Sequence, residues 1–567
     1  MNQPTPAIVA QDAARRLPRA ALVLLCLAYV VPGYFGRAPW KGVDMATFGY
    51  MLDMARGATQ WLDPQIFGMR PEADGLLPYW LGAWFVHLGP AWMPAALAAR
   101  IPFMLMLAIA LAATRFAVYY LARRPQAQPV SFAFGGEANP LDYARAIADG
   151  GLLALIACFG LAQLSHEVTT SVAQLCFGAL TFYGIAAMGY GWIGPTVAIA
   201  LGMGGLLLSG APSMAVLFGA GSALLHLLAA DPQTGGRRGA QRAAGRIAFV
   251  TLLAAAVASA LDLWHWRVLL PQDAGSRDWR ALSRLLLWFT WPAWPLVLWT
   301  LWRWRLQIFS RSVSLHMALP LWFALVALAA TLTTRPADRA LLLALPALAA
   351  LAAFALPTLQ RSVAALIDWF TLLFFTGCGI IIWVFWFAMQ TGHPRQLHLN
   401  VLRQAPGFEG SFSLPVFLIA LAATLVWTWL VKWRVGRHRA AMWKSLVLPA
   451  GGAALCWLLL TTLWMPALDF VRSYRVVVQN VSSVVGESPC LQELDLSRGQ
   501  IAAFKYHGHY VLHPFGSTQS CPWMLVNPDS RNRLQKSASA RQWHLQATIR
   551  RPSDKADDVL LFRRVAR

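Results

Sequence analysis

Long apolar segments alternate with short polar ones over most of the chain. A helix needs roughly 20 mainly apolar residues to cross a bilayer, and the sequence offers many runs of about this length. We therefore predict an all-α polytopic membrane domain over residues 1–465, with about thirteen spanning helices. Their predicted bounds are 20–36, 97–121, 150–164, 168–188, 194–209, 213–230, 247–265, 285–302, 313–331, 340–356, 364–389, 412–431 and 445–465.

Composition agrees with a membrane protein embedded in a lipid bilayer. Apolar residues make up 57% of the chain and charged residues 13%, against about 45–50% and about 25% in soluble domains. The chain has 27 tryptophans, a residue that is enriched at membrane interfaces. The sequence contains no GxGxxG, P-loop, GxSxG or HExxH motif that would indicate a soluble type of enzyme.

Basic residues cluster in four of the predicted loops, which all fall on one side of the membrane. The clusters are Arg123 and Arg124; Arg237, Arg238, Arg242 and Arg246; Arg303, Arg305 and Arg311; and Lys432, Arg434, Arg437, Arg439 and Lys444. The positive-inside rule places this side, with the N-terminus, in the cytoplasm. An odd number of spans then places the C-terminal segment on the outer side of the membrane. This asymmetry explains the net charge of +22, and we predict no nucleic-acid partner.

The first apolar segment resembles a secretory signal in one respect. Arg15, Arg16 and Arg19 precede it, as basic residues precede the apolar part of a signal peptide. No small-residue cleavage site follows it. We therefore interpret the segment as a first spanning helix that is retained.

Residues 466–567 differ in character from the membrane domain. Their apolar runs are short, and we predict a small periplasmic α/β domain. Tyr474–Val485 fits a helix or a strand, and the predicted strands are Tyr510–Leu512, Trp523–Val526 and Val559–Phe562. Cys490 and Cys521 are the only cysteines of this domain. In an oxidising periplasm such a pair most often forms a disulfide.

The first predicted periplasmic loop, residues 37–96, is rich in acids for a chain with 47 Lys+Arg and 25 Asp+Glu. Four short motifs follow one another in this loop, and we call them together its frame. They are Asp44-Met45, Met54-Ala55-Arg56, Trp61-Leu62-Asp63-Pro64 and Leu76-Leu77-Pro78-Tyr79-Trp80-Leu81. This frame resembles the first periplasmic loop of GT-C superfamily glycosyltransferases, near the aminoarabinose transferases and protein O-mannosyltransferases. Thr47, Ala73 and Asp74 stand where that family has an Arg and a Glu-Lys pair.

The resemblance implies a catalytic role for two acids. Asp44 stands where the superfamily has its catalytic carboxylate, and we expect it to be the general base or to organise that base. Glu167, in the turn between the third and fourth spans, matches a second acid of the superfamily. For both residues the alternative is a carboxylate that is merely solvated at a helix end.

A second stretch resembles the family's donor site. The sequence Thr334-Arg335-Pro336-Ala337-Asp338-Arg339-Ala340 precedes an apolar run and is similar to the family's Lys-x-x-Arg-Tyr pattern. Guanidinium groups bind phosphate through paired hydrogen bonds. The resemblance thus implies that Arg335 and Arg339 bind the donor phosphate, and that Arg267, in the loop after the seventh span, assists them. An interface anchor is the alternative for these arginines.

A divalent metal ion stays open as a cofactor. Its candidate ligands are Glu72, Asp262 and His265. Asp262 and His265 are three residues apart and would share a helix face, but one such pair is short of a tetrahedral metal site.

The resemblance as a whole implies a glycosyltransferase that uses a polyprenyl-phosphate-linked sugar. The acceptor is a lipid such as lipid A, another glycan or a protein hydroxyl, and we expect the anomeric carbon to be inverted. A transporter or flippase of lipid-linked glycans would more often show repeat symmetry and charged residues in mid-span. A non-catalytic scaffold descended from the family would explain the missing Arg and Glu-Lys residues.

Overall fold

The computed structural model describes most of the chain. It covers residues 5–40, 42–71, 75–229, 236–264, 276–310, 312–334, 337–435, 441–486, 490–519, 521–537, 540–551 and 557–565. Helices dominate these ranges, and strands occur only beyond residue 489 within them.

The helices of the first half begin near the N-terminus and end with the pair at the third predicted basic loop. They are α1 Arg19–Val30, α2 Gly42–Ala55, α3 Leu77–Leu88, α4 Ala95–Ala98, α5 Ile101–Ala122, α6 Pro140–Ala157, α7 Phe159–Leu164, α8 Thr170–Ala187, α9 Ile193–Leu208, α10 Pro212–Leu228, α11 Gly236–Ala260, α12 Ser276–Phe289, α13 Ala293–Arg303 and α14 Arg305–Ile308.

The second half continues with further apolar helices and ends in shorter helices around a sheet. These are α15 Leu315–Thr333, α16 Ala337–Leu341, α17 Leu345–Ala353, α18 Arg361–Thr391, α19 Arg395–Gln404, α20 Leu414–Val435, α21 Lys444–Leu463, α22 Met465–Arg472, α23 Arg475–Val485, α24 Arg498–His507 and α25 Arg531–Gln535.

The chain is a multi-pass membrane protein. Eight helical segments of the described ranges are long and apolar enough to cross a membrane, and α12 with α13, bent by 84°, makes up to nine. Each of the thirteen predicted segments overlaps a helix within the described residues. The count of spans by length and composition is lower because α1, α9 and α10 are short and because α6 is interrupted by charge.

Helix α6 shows how a charged segment is buried among apolar helices. It carries Asp142, Arg145 and Asp149 and is buried along most of its length. Asp149 pairs with Arg115 of α5, with 2.7 Å between Oδ1 and the guanidinium. Asp142 accepts hydrogen bonds from Arg16. The segment between the second and third predicted spans is only partly a loop, because α6 begins at Pro140 with the side chain of Asn139 as its cap.

The C-terminal segment forms a five-stranded mixed sheet. Its strands are β1 Cys490–Leu494, β2 Val511–Pro514, β3 Trp523–Val526, β4 Trp543–Ile549 and β5 Val559–Arg564. The order is β2-β1-β3-β5-β4, with β1 parallel to β2 and β3, and β5 antiparallel to β3 and β4. The structure has a strand at or overlapping each of the three predicted ones, and it also has β1 and β4, which were not predicted.

The C-terminal segment packs directly on α2, the helix that carries Asp44. A Cβ atom at Gly49 would lie 2.5 Å from that of Ala502, and one at Gly499 would lie 2.6 Å from the carbonyl oxygen of Gly42. Glycine is thus needed for α2 and α24 to approach this closely. Beside this contact, Lys505 Nζ lies 2.5 Å from Asp53 Oδ2. The first loop is consequently held in place by the C-terminal segment.

Candidate active site

Asp44 lies in the first turn of α2 and is almost completely buried, with 1% of its surface exposed. A carboxylate in the first turn of a helix is stabilised by the helix dipole and by free backbone N–H groups. Oδ2 accepts a hydrogen bond from the backbone N–H of Trp40 at 2.8 Å and lies 3.4 Å from Nη1 of Arg37. Oδ1 accepts the backbone N–H of Val168 at 2.9 Å. Both oxygens therefore have protein partners.

Arg37 was not singled out by sequence, yet it connects three parts of the site. Its Nε donates to the carbonyl oxygen of Gly33 at 2.7 Å and its Nη2 to that of His166 at 2.5 Å. Its guanidinium lies 4.7 Å from the ring centre of Trp40, within the range of a cation–π contact. The sequence feature that could have identified Arg37 is its position seven residues before Asp44, in the loop that follows an apolar helix.

The turn between α7 and α8 brings the second predicted acid to the same place. Asp44 and Arg37 bind the backbone on either side of Glu167, and Tyr34 Oη donates to the carbonyl oxygen of Ser165 at 2.7 Å. Glu167 is buried, and its Oε2 lies 3.5 Å from Nη2 of Arg339. The structure thus brings together Asp44, Glu167 and Arg339, which are distant in sequence.

His166 occupies the interior of this turn and was not predicted as a site residue. Its Nδ1 lies 2.5 Å from the carbonyl oxygen of Ala162, and its Nε2 lies 3.0 Å from that of Tyr29. Its ring lies 4.5 Å from that of Trp457, centre to centre. Burial lowers the pKa of His166 to about 4, because desolvation penalises the charged form.

Further charged residues surround the acids. The buried Arg100 donates to the carbonyl oxygen of Arg37 at 2.7 Å. The buried Asp469 accepts hydrogen bonds from the indole N–H of Trp40 and from a backbone N–H of the first loop. Arg472 lies over the ring of Trp40 at 5.3 Å. Burial lowers the pKa of Arg472, while the charge of Glu167 opposes that shift.

A small cavity lies in the middle of this cluster. Its volume is about 10 Å³, and its lining includes Arg37, His166, Glu167, Trp457 and Thr461. This space holds about one water molecule, so a sugar enters only if the surrounding elements move. Glu167 and Arg37 line the cavity, whereas Asp44 lies behind them with both oxygens engaged.

Four of the predicted site residues, Glu72, His265, Arg267 and Arg335, lie outside the described residues. Their predicted roles therefore stay predictions. Helix α16, which carries Arg339, packs against the amphipathic helix α12, which is the next described helix after Arg267 in sequence.

The predicted metal site also stays a prediction. Asp262 is solvent-exposed just past the end of α11. The one group of three ligand-type side chains found among the described residues is Cys490, His513 and Cys521. The two cysteines of that group are joined in a disulfide, with 5.4 Å between their Cα atoms, so their sulfur atoms are not thiolates that could bind a metal.

Comparisons with known proteins bear on the fold. The sequence matches no family model and no curated protein. Two solved structures are similar: ArnT from Cupriavidus metallidurans bound to undecaprenyl phosphate, and the same protein in the apo state. The first is 13% identical with a TM-score of 0.58 and covers 96% of this chain and 98% of its own. The second is 13% identical with a TM-score of 0.56 and covers 96% of both chains. The chain therefore has the fold of ArnT, which is the GT-C fold that the frame of its first loop predicted.

Proposed function

We propose that this chain transfers a sugar from a polyprenyl-phosphate donor to a hydroxyl acceptor at the periplasmic face of a bacterial inner membrane. The observation that carries the proposal is the cluster of the buried Asp44 and Glu167 with the partly exposed Arg339, in a chain that shares the ArnT fold over 96% of its length. One of the two ArnT structures holds undecaprenyl phosphate, a polyprenyl phosphate of the class that such a donor would release.

The charge of the cluster supports an anionic donor. The arginines Arg37, Arg100, Arg339 and Arg472 outnumber the acids Asp44, Glu167 and Asp469. Buried charges are stable only when they are compensated, and a phosphate would compensate the excess positive charge. Arg339 is the best placed for this role, because 17% of its side chain is exposed and Glu167 is its ion-pair partner. Arg335 and Arg267 are further donor-site candidates.

The two acids then have different tasks. Glu167 lines the cavity, and we assign it the role of the base that takes the acceptor's proton. Asp44 holds Arg37 and the backbone of Val168, which makes it a positioning residue for the turn that carries Glu167. This is the organising role that the family frame left open for Asp44.

The proposed reaction is a single displacement. The acceptor oxygen forms a bond to the anomeric carbon while the bond from that carbon to the phosphate oxygen breaks. The polyprenyl phosphate leaves with the electron pair, and Glu167 receives the hydroxyl proton. A single displacement inverts the anomeric carbon. A base in the right position accelerates such a proton transfer by roughly 10²–10⁴-fold. The acceptor class, whether lipid A or another lipid, a glycan or a protein, is part of what the experiment below identifies.

Product analysis in cells tests this proposal. Mass spectrometry of membrane lipids, envelope glycans and envelope proteins is compared between cells that lack the chain and cells that express it. We expect a mass increment of one sugar residue that requires the chain and is lost in Glu167→Gln. The control Glu409→Gln changes an exposed acid of the loop before α20 and should retain the product. A product that persists in Glu167→Gln contradicts the assigned base, and movement of an unmodified lipid-linked glycan without transfer contradicts the proposed reaction.

The orientation in the membrane is tested separately. We propose a cytoplasmic N-terminus and a periplasmic C-terminal domain, on the basis of the four basic clusters. A reporter enzyme that is active only in the periplasm, fused after the last residue, should be active. Activity of a cytoplasm-specific reporter at the same position would refute the proposed orientation.

A further inference from the structure

A second cavity lies at the opposite end of the helix bundle from the candidate active site. Its volume is about 230 Å³. It is formed where α5 and α10 end and where α11 and α15 begin, together with the loop between α8 and α9. Helix α8 separates the two sites, because Glu167 precedes its first turn and Met188 follows its last. The 18 residues of α8 span about 27 Å at 1.5 Å per residue.

Positive charge dominates the lining of this cavity. Arg124, Arg242 and Arg246 contribute to it, and none of the described residues that line it is an Asp or a Glu. Arg124 is buried, Arg246 is half-buried and Arg242 is exposed. Arginine clusters of this kind match the geometry of phosphate oxygens.

A buried histidine adds a polar group that has an unused nitrogen. His226 lines the cavity and is only 3% exposed. Its Nδ1 lies 2.9 Å from the carbonyl oxygen of Ser222, so this nitrogen carries the hydrogen and donates it. Its Nε2 has no hydrogen-bond partner within the part of the chain that the structure describes. In the neutral ring this nitrogen is an acceptor, which suits a hydroxyl group of a ligand.

Apolar surface continues from the mouth of the cavity along two neighbouring helices. Trp192 at the mouth is 61% exposed, and the guanidinium of Arg246 lies 5.7 Å from its ring centre. On α9, the exposed side chains Ile193, Val197 and Leu201 recur every four residues and share one face. On α11, exposed apolar side chains continue from Arg246 through Phe249 and Leu253. A ligand with acyl chains would therefore find both a headgroup site and a lipid-facing path beside it.

We propose that this cavity binds the phosphate group of an anionic phospholipid from the leaflet at this end of α8, with a hydroxyl of its headgroup donating to Nε2 of His226. Basic pockets between spanning helices recognise lipid headgroups by this combination of charge and membrane access. Phosphatidylglycerol has the required chemistry, because its phosphate diester carries one negative charge and its headgroup carries hydroxyls. This site is separate from the proposed transfer reaction and does not depend on it.

Lipid binding to the purified full chain tests the proposal. The protein in neutral detergent is titrated with phosphatidylglycerol, phosphatidylethanolamine or free glycerol phosphate, and bound lipid is counted by native mass spectrometry. We expect phosphatidylglycerol to bind at least tenfold more tightly than phosphatidylethanolamine, and free glycerol phosphate not to compete at equal concentration. Competition by glycerol phosphate would overturn the lipid assignment in favour of a soluble phosphate.

Matched variants distinguish lipid binding at a specific site from general attraction between the lipid and a positively charged surface. Arg246→Gln should weaken phosphatidylglycerol binding at least tenfold, while Arg238→Gln, which removes the same charge from an exposed position on the same helix, should change it less than twofold. His226→Leu should reduce the preference for phosphatidylglycerol over phosphatidic acid, which lacks the headgroup hydroxyls. Equal effects of Arg246→Gln and Arg238→Gln, or an unchanged preference in His226→Leu, would overturn the proposal. The size-exclusion profile and unfolding temperature of each variant verify that it is folded.

Discussion

Replacing Asp44 by Asn distinguishes a residue that organises the site from one that acts on the substrate. The substitution keeps the shape of the side chain but replaces one oxygen by an NH₂ group. In the folded chain both oxygens accept hydrogen bonds, from Trp40, Arg37 and Val168. Whichever way the amide is turned, its NH₂ group therefore faces an N–H donor. The positive charge of Arg37 also loses its carboxylate partner.

The size of the effect follows from burial. The side chains of Arg37 and Asp44 are 3% and 1% exposed, and removing one partner of a buried pair costs about 3–5 kcal/mol. Arg37 keeps the carbonyl oxygens of Gly33 and His166, so we expect about 3 kcal/mol. By contrast, Glu167→Gln disturbs a longer contact, of 3.5 Å, with a partly exposed arginine. The Gln side chain keeps one oxygen that can accept a hydrogen bond from this arginine, and we expect the substitution to cost about 1 kcal/mol.

The assay measures two quantities for each variant: the free energy of unfolding of the purified protein, and the transfer product formed per folded molecule. We expect Asp44→Asn to lower both, and Glu167→Gln to lower product formation by roughly 10²–10⁴-fold with little change in stability. The double variant Asp44→Asn/Arg37→Gln should be destabilised by less than the sum of its single variants, since it leaves no buried charge without a partner. A loss of less than about 0.5 kcal/mol in Asp44→Asn, the value for an ordinary surface substitution, would refute this reasoning.

Three further results are expected. Arg339→Ala should weaken binding of undecaprenyl phosphate by about 2 kcal/mol, or roughly 30-fold, as measured by lipid titration; binding equal to that of wild type would remove Arg339 from the donor site. Because burial lowers the pKa of His166 to about 4, below the 6.5 of an exposed histidine, the unfolded chain binds the proton first and stability falls as pH drops from about 6.5 towards 4. At pH 5 this amounts to about 2 kcal/mol, and a thermal unfolding series in which His166→Gln shows the same pH slope as wild type would contradict it. The disulfide between Cys490 and Cys521 closes a loop with a sequence separation of 31, so its reduction should cost about 3–4 kcal/mol in the loop-entropy model; two freely alkylated thiols in protein purified without reductant would show that it does not form.

The amino-acid sequence by itself determined the elements and the class of fold. Apolar runs predicted where helices lie, because the requirement that every backbone polar group in a bilayer be satisfied within its own segment makes a long apolar run helical. The same pattern did not anticipate that α6 would be buried with Asp142 and Asp149 paired to arginines of other segments. The frame around Asp44 predicted the GT-C fold that the ArnT structures share with this chain.

Only the tertiary structure decided which side chains surround the predicted acids. Asp44 binds the backbone of Val168 across a separation of 124 residues, and Arg37 binds the carbonyl oxygen of His166. Neither contact leaves a periodic signal in the sequence. A buried charge needs a partner within about 3 Å, and the packing of helices that are distant in sequence determines which group that partner is. Sequence pattern reports the face that a helix buries, while the partners of a buried charge depend on the crossing of helices that the pattern does not encode. For this reason Asp44 and Glu167 were predictable as candidates, and Arg37, His166 and Asp469 became visible only in the folded chain.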